Sequence, residues 1–219
     1  IVRQGACPTV VASMQEIPLA ENPAALEFLR SLRSGGVDVV VFLTGVGARA
    51  LGKAVAQECP HEEFVRLLQR CTIVIRGPKP AAVLKQWGLA VDARAEEPNT
   101  WREVLSALTA LEAIHEKRIA VQEYGISNPD FYEALRERGA EVIPVPVYRW
   151  CLPDDTGPLL AGIRGTVAGE FDVLLFTSAQ QLRNVLEVAG NAGLAEAWRE
   201  AALGCVIGSV GPVASAALR

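Results

Sequence analysis

The sequence predicts an α/β protein with two similar parallel-sheet lobes, one inserted in the other. Three observations predict this fold: short runs of Val, Ile and Leu alternate with helical segments, glycines follow the helices, and the chain repeats itself at one constant offset. The 219 residues are 50% hydrophobic and 21% charged, which suffices for one large core or two smaller ones and excludes a disordered chain.

The repeat appears when residues 1–84 are laid over residues 135–218 without a gap. The two segments agree at 17 of 84 positions, whereas unrelated sequences agree at roughly 6% of positions on ordinary residue usage. Asp38 then falls on Asp172, and shared Gly, Pro and Arg residues keep the same offset of 134. This favours an internal duplication over two segments that share only a hydrophobic pattern.

Each copy predicts the same order of elements. A helix ends at a glycine that serves as its left-handed C-cap, buried strands appear as continuous apolar runs, and Thr or Ser caps the following helix. The elements are a helix ending at Gly5 or Gly139, an extended segment (8–14; 142–150), an amphipathic helix (24–33; 159–167), a buried strand (39–42; 173–176), a helix beginning at Thr44 or at Thr177-Ser178, and a strand (73–75; 205–207) followed by Gly-Pro and another helix.

The middle of the chain, residues 85–134, predicts further elements of the same kind. A short strand precedes a helix with Thr100 and Glu103 as a capping box, the strand 118–125 opens the second copy, and Asn128 caps the next helix. The repeat indicates that a strand and a helix are missing at each end of the chain. The alternative is a naturally degenerate repeat.

Composition excludes several classes of function. A net charge of −4 argues against non-specific binding to nucleic acid or anionic membranes, and the apolar runs are too short to span a bilayer. No signal peptide is recognised, although the chain begins at Ile1 without a methionine. Five scattered cysteines without a CxxC pair predict reduced thiols in the cytoplasm, and two histidines argue against a metal site.

The carboxyl ends of the predicted strands indicate where a ligand binds. They read FLTGVG, VIRGPK, VQEYGISN, LLFTSAQ and GSVGP, rich in the residues that begin helices. Free backbone N–H groups and the positive helix ends at such turns receive anions, and Arg76 and Lys79 flank one of them. We therefore expect a ligand with several carboxylates or phosphates. The alternative is that Thr44 and Ser178 are ordinary N-caps.

One motif indicates a different ligand. Residues 45–50, GVGARA, match the GxGxx(G/A) dinucleotide pattern after a strand and at the start of a helix. Against this interpretation, the equivalent turn 179–181 has no glycine, and Arg76 stands where an acidic residue is expected. Because no nucleophile–base pair or carboxylate pair is evident, an enzyme of this sequence must rely on positioning and electrostatic stabilisation.

An ordered series of segments resembles the uroporphyrinogen-III synthase family of tetrapyrrole biosynthesis. The series runs through GACPTVVASMQEIPL, FLTGVGARAL, VIRGPKPAAVLKQWGL, EEPNTWRE, VQEYGISNPDFYEALRERGAEVIPVPVYRW, FDVLLFTSAQ and SVGP, and so covers nearly the whole chain. The resemblance implies two α/β lobes joined by a two-stranded ladder. One lobe would combine 1–17 with 153–219, with elements missing at both ends, and the inserted lobe would be 18–148.

The resemblance further implies a cytoplasmic lyase that needs no cofactor or metal. Its substrate would be hydroxymethylbilane, a linear tetrapyrrole octacarboxylate, held between the lobes; loss of water and ring closure would invert the last pyrrole. We expect a monomer that binds neither membrane nor nucleic acid. A two-lobed polycarboxylate-binding protein without catalysis is the second interpretation, and a dinucleotide-binding α/β protein is the third.

Site residues follow from the same resemblance. The implied catalytic residue is Tyr148 in the VY segment; its alternative role is packing, because Met14 occupies the equivalent position in the first copy. The implied substrate-binding residues share a position at the start of a helix or beside it: Thr44, Gly45, Val46, Arg76, Gly77, Pro78, Lys79, Thr100, Gly125, Ser127, Asn128, Thr177, Ser178 and Ala179.

Overall fold

The computed structural model describes residues 2–18, 22–123, 125 and 127–218. The chain divides into two compact units, Glu16–Arg149 as one and Ile1–Gln15 with Trp150–Arg219 as the other. We call them the inserted unit and the discontinuous unit. The boundaries at 15/16 and 149/150 fall inside two strands that pair with each other as a two-stranded sheet.

The described elements follow in chain order, after a short 3-10 helix at Val2–Gln4. They are β1 (Gln15–Pro18), α1 (Pro23–Arg33), β2 (Val39–Phe42), α2 (Gly45–Val55), α3 (His61–Leu68), β3 (Thr72–Ile75), α4 (Pro78–Gln86), β4 (Ala93–Arg94), α5 (Trp101–Ala110), β5 (Arg118–Gln122), α6 (Pro129–Arg136), β6 (Glu141–Val145), β7 (Tyr148–Cys151), α7 (Gly157–Val167), β8 (Val173–Phe176), α8 (Ala179–Asn191), α9 (Ala195–Leu203), β9 (Val206–Ser209) and α10 (Pro212–Ala217).

The inserted unit is built on a five-stranded parallel sheet. Its strand order is β4-β3-β2-β5-β6, and in the central strand Val40 stands level with Ile73 on one side and Ala120 on the other. Every residue of β2 is buried, as expected for a parallel strand covered on both faces. Since all five strands run the same way, their carboxyl ends meet at one edge of the sheet.

The core of the inserted unit packs against the two faces of this sheet. On one face, Val39 and Val41 contact a cluster from α5 and α6 that contains Leu108 and Phe131. On the other face, Phe42 meets the Trp87 ring edge to face, with ring centroids 6.3 Å apart. Alternate residues of one strand therefore serve two helical layers, which fixes the direction in which β2 delivers the chain into α2.

The discontinuous unit holds a smaller parallel pair, β8 with β9. Its core joins Phe176 to Leu159 of α7, Leu182 of α8 and Trp198 of α9. The prediction of a buried strand at 173–176 is wrong, because Val173 is 49% exposed and Leu175 58% exposed. Only two strands pair among the described residues of this unit, and its helices cover a single face of them.

The elements repeat at the offset seen in the sequence. In the inserted unit α1, β2, α2, α3, β3 and α4 begin at residues 23, 39, 45, 61, 72 and 78, and in the discontinuous unit α7, β8, α8, α9, β9 and α10 begin at 157, 173, 179, 195, 206 and 212. Each pair differs by 134 residues. The pairing of Val39 with Thr72 recurs as that of Val173 with Val206.

One extended segment differs from the prediction. Residues 8–14 form no strand, and β1 begins only at Gln15. The carbonyl of Ser13, which is buried, accepts a hydrogen bond from the Asn184 side chain at 2.7 Å. A side-chain donor therefore takes the place of a strand partner at this point.

An ion pair closes the opposite, amino-terminal edge of the large sheet and predicts a pH dependence. Hydrogen bonds from the Arg118 side chain lower the pKa of the Asp38 carboxyl. A group whose pKa is lower in the folded state stabilises the fold above its unfolded pKa, about 3.9, and loses that effect as the pH falls through its folded value. We expect Asp38→Asn to lose less unfolding free energy than the parent between pH 7 and pH 3, measured by urea titration.

The matched control for this prediction is Asp172, which lies 134 residues later in the discontinuous unit. Asp172 is exposed and forms no ion pair among the described residues. Asp172→Asn should therefore leave the pH dependence as it is in the parent. An equal flattening in both variants would show that the Arg118 pair is not its source.

Candidate active site

One edge of the five-stranded sheet collects most of the predicted site residues. Beyond β2, β3, β4 and β5 the chain passes into α2, α4, α5 and α6, whose N-caps are Thr44, Gly77, Thr100 and Asn128. The first backbone N–H groups of a helix have no partner within the helix, so this edge offers several anion-receiving helix ends. Within the inserted unit, the edge holds Thr44, Gly45, Val46, Arg76, Gly77, Pro78, Lys79, Thr100, Gly125, Ser127 and Asn128.

The hydroxyl of Thr44 joins the start of α2 to the predicted catalytic tyrosine. Thr44 Oγ1 accepts a hydrogen bond from the backbone N–H of Gly47 at 2.9 Å and lies 3.3 Å from the phenol oxygen of Tyr148. Tyr148 is the first residue of β7 and only 4% exposed. The phenol is therefore held inside the unit, against a helix N-terminus, rather than displayed on its surface.

Gln122 is a site residue that sequence reasoning missed. It ends β5, is 1% exposed, and its Oε1 accepts a hydrogen bond from the backbone N–H of Thr44 at 3.2 Å. Its amide nitrogen donates to the carbonyl of Glu123. The only signal in the sequence was a Gln that closes the otherwise apolar run 119–121, and period alone cannot show that such a side chain turns inward.

The glycines of the GVG motif have a packing role in this structure. A Cβ built on Gly45 would lie 2.7 Å from the carbonyl oxygen of Lys79, and a Cβ built on Gly47 would overlap the side-chain amide of Gln122. Both positions thus need glycine without any bound phosphate. The spacing that suggested a dinucleotide site is accounted for by the approach of α4 and Gln122 to α2.

The turn after β3 carries two of the predicted cations. Arg76 is half-buried and Lys79 exposed, while Gly77 has no side chain to cap α4. The Asn99 amide, in its hydrogen-bonded orientation, donates to the carbonyls of Arg76 and Ala95 at 2.8 and 3.2 Å. The 95–99 loop is thereby tied to the Arg76 turn, and Arg94 lies beside it at the end of β4.

Thr100 is occupied by its own capping box. Its backbone N–H and hydroxyl both donate to Glu103 Oε2, at 2.8 and 2.5 Å, and the hydroxyl bond is the main cause of a lowered pKa of the Glu103 carboxyl. A substrate carboxylate would have to displace Glu103 to reach these donors. The neighbouring Arg102, which stacks 4.6 Å from the centre of the Trp101 ring, is an exposed cation at the same turn.

The turn after β5 is fastened by a buried carboxylate. Glu123, 6% exposed, accepts hydrogen bonds from Ser127 Oγ at 2.7 Å and from the Tyr132 phenol at 2.6 Å. The hydroxyl proton of Ser127 is thus directed inward, and the predicted contact of Ser127 with substrate would have to come from its backbone. Asn128 caps α6 through Phe131 N at 3.2 Å.

The remaining predicted residues, Thr177, Ser178 and Ala179, belong to the discontinuous unit. Ser178 caps α8 in a capping box with Gln181, whose Oε1 also accepts from the backbone N–H of Thr177 at 2.7 Å. The hydroxyl of Ser178 donates to the sulfur of Met14 at 3.6 Å. Ser178 and Met14 stand 134 residues after Thr44 and before Tyr148 respectively, so the two units hold equivalent pairs, of which only one contains a phenol.

A hollow of about 710 Å³ lies at the other edge of the large sheet, away from these residues. It is lined by Asp38, Cys71, Asp92 and Lys117 among others. Burial raises the pKa of the Cys71 thiol to about 11, so at neutral pH it is an unreactive thiol, and Asp38 is already paired with Arg118. This hollow offers no reactive group, and the carboxyl edge remains the candidate site.

Metal and membrane features are absent from the part of the chain that the structure describes. No group of three or more His, Cys, Asp or Glu side chains within it is arranged to hold a metal ion. None of its helices has both the length and the apolar composition needed to cross a bilayer.

Comparison with known proteins identifies the family. A family model described as uroporphyrinogen-III synthase HemD matches residues 1–219, the entire chain. The chain belongs to the uroporphyrinogen-III synthase family. Membership confirms the resemblance drawn from the ordered motifs, and with the α/β fold it supports an enzyme of tetrapyrrole biosynthesis.

Two solved structures of Thermus thermophilus uroporphyrinogen III synthase are similar to this chain. A triple mutant superposes with a TM-score of 0.67 at 31% identity, over 94% of this chain and 76% of that one. The wild-type enzyme gives a TM-score of 0.57 at 32% identity, over 94% and 74%. Bacillus subtilis YjjA, an uncharacterized protein, is 27% identical over 96% of this chain and 78% of its own length. The α/β fold with a parallel sheet is thus shared with solved members of the family.

Proposed function

We propose that the protein is a uroporphyrinogen-III synthase, a lyase that cyclises hydroxymethylbilane with inversion of the last pyrrole ring and loss of water. The observation that carries the proposal is the Thr44–Tyr148 pair at the carboxyl edge of the sheet, 3.3 Å between oxygens, among several helix N-termini. Family membership and the likeness to the Thermus enzymes support it.

Substrate recognition rests on the charge of the candidate site. The proposed substrate, a linear tetrapyrrole octacarboxylate, needs several anion-receiving positions, and the N-termini of α2, α4 and α6 together with the turn of α8 supply backbone N–H groups. Arg76, Lys79, Arg94 and Arg102 add side-chain cations at neighbouring turns. Thr100 contributes mainly by holding α5, because Glu103 takes its donors.

The proposed chemistry needs one acid and one stabilised cation. The Tyr148 phenol gives its proton to the hydroxyl of the substrate, the carbon–oxygen bond breaks, and water leaves behind an azafulvene cation. A phenol remains protonated at neutral pH, as an acid must, because its ordinary pKa is about 10. The proton released when the ring closes and regains aromaticity returns to the phenolate, so the cycle balances.

We further propose that the two units arose by duplication and act as the two lobes of a cytoplasmic monomer that needs no cofactor and binds neither nucleic acid nor membrane. The duplication is supported by the constant offset of 134 residues in both sequence and element starts. All five cysteines are free thiols, which accords with a reducing compartment.

The experiment is a hydroxymethylbilane consumption assay with a chelator present and no nucleotide added. We expect consumption well above the spontaneous rate. Saturable binding of a porphyrin product without accelerated consumption would instead favour the polycarboxylate-binding protein. Tight binding of NADP in calorimetry would favour the dinucleotide interpretation of residues 45–50.

A further inference from the structure

A buried amide lies behind the Thr44–Tyr148 pair. Gln122 is 1% exposed at the end of an apolar strand, and a buried amide costs free energy unless its hydrogen bonds are made. Its oxygen accepts from Thr44 N at 3.2 Å, and glycine at position 47 leaves the room that the amide occupies. We propose that Gln122 is a positioning residue which, through Thr44, orients the hydrogen bond so that the Thr44 hydroxyl donates to the Tyr148 phenol oxygen.

The direction of this hydrogen bond follows from what Thr44 already accepts. A hydroxyl has one proton and two lone pairs, and one lone pair of Thr44 Oγ1 faces the Gly47 N–H at 2.9 Å. The positive end of α2 favours lone pairs turned towards the helix and the proton turned away from it. Tyr148 Oη lies on that outer side at 3.3 Å, so it receives the Thr44 proton. The phenol proton is then directed to an acceptor other than Thr44.

This orientation matters when the phenol acts as an acid. As Tyr148 transfers its proton, negative charge develops on Oη, and a hydroxyl that donates to Oη stabilises that charge. Gln122 keeps the Thr44 backbone, and with it the hydroxyl, at the required position. Thr44 is thereby assigned a role in supporting Tyr148 rather than in gripping a substrate carboxylate.

The discontinuous unit provides a contrast. There Ser178 donates to the Met14 sulfur at 3.6 Å, and a thioether has no proton to transfer. The same hydroxyl–cap arrangement therefore exists twice, but it serves an acid only where Tyr148 stands. The arrangement beside Gln122 is thus the one able to influence catalysis.

The first test measures the ionisation of Tyr148 and needs no substrate. Protein labelled with 3-fluorotyrosine contains three labelled residues, Tyr124, Tyr132 and Tyr148, and each signal is assigned by a Tyr→Phe change. We expect Thr44→Val to raise the ionisation midpoint of Tyr148 by about half a pH unit or more, because the phenolate loses a donor. Gln122→Met should raise it as well, and the double variant should match Thr44→Val alone.

Controls keep this test decisive. Asp38→Asn, at the opposite edge of the same sheet, should leave the midpoint unchanged. If Gln122→Met does not fold, Gln122→Asn replaces it, since the shorter amide cannot reach Thr44 N. A midpoint that falls in Thr44→Val, that stays fixed in the Gln122 variant, or that shifts additively in the double variant overturns the proposal.

The second test is kinetic and rests on the proposed function. We expect Gln122→Met to lower kcat at least tenfold with KM within about threefold of the parent, the pattern of a group that acts only in the transition state. Thr44→Ser should keep most of the turnover. Loss in KM alone would contradict the positioning role. A parent protein that does not consume hydroxymethylbilane would refute the proposed function, while the ionisation test would still decide the role of Gln122.

Discussion

Tyr148→Phe should lower turnover of hydroxymethylbilane by about 10²–10⁴-fold, the range expected for loss of general acid assistance. The change keeps the ring that is packed at 4% exposure and removes only the hydroxyl that faces Thr44 Oγ1. Folding should therefore be nearly unaffected. Steady-state kinetics and a melting curve on the same sample measure the two effects separately.

Tyr132→Phe is the matched control for this prediction. Tyr132 is buried to a similar degree, but its phenol donates to Glu123 in the supporting turn. Its loss should reduce the melting temperature, because a buried carboxylate loses a partner, and should change turnover by no more than about threefold. If Tyr148→Phe retains turnover within twofold of the parent, Tyr148 is a packing residue and the acid must be sought elsewhere.

Gly47→Ala should lower the free energy of unfolding by about 1–3 kcal/mol, the usual cost of overfilling a packed site. Alanine favours a helix over glycine by about 1 kcal/mol, but here its Cβ overlaps the Gln122 amide, which is buried and has no open space to enter. Chemical denaturation measures the loss. Because the overlap also displaces Gln122 from Thr44, turnover should fall with stability.

A second change separates overlap from other causes. Gln122→Ala in the Gly47→Ala background should recover part of the stability, since the overlapping group is gone. Gly190→Ala, in a helix with open space around it, should be neutral or slightly stabilising. If Gly47→Ala is as benign as Gly190→Ala, the glycine is not explained by Gln122, and the dinucleotide interpretation of the GVG motif regains support.

The sequence predicted much of the fold because its strongest signals are local. The strand at 39–42 and the capping box of Thr100 with Glu103 are found as predicted. Both depend on neighbours within a few residues, a continuous β-branched run in one case and a Ser/Thr-x-x-Glu spacing in the other. Parallel order then follows from alternation of strands and helices, which places the predicted helix starts along one edge.

What the sequence did not predict depends on residues distant in the chain. Nothing near Gln122 indicates that its partner is Thr44, 78 residues away. Likewise, Val173 and Leu175 form an apolar run like that of β2, yet they are exposed, because burial depends on how many strands and helices surround the run. Apolar composition identifies a strand, whereas its burial is a property of the sheet it joins.

The central claim, that this chain directs ring closure with inversion, is tested most directly by the isomer it forms. Hydroxymethylbilane that closes spontaneously gives the type I macrocycle without inversion, so the product separates enzymatic from uncatalysed closure. We predict that chromatography of the oxidised porphyrins shows mainly the type III isomer with the parent protein, and a shift towards type I with Tyr148→Phe. Type I alone, at the rate of the protein-free sample, would contradict the proposed function.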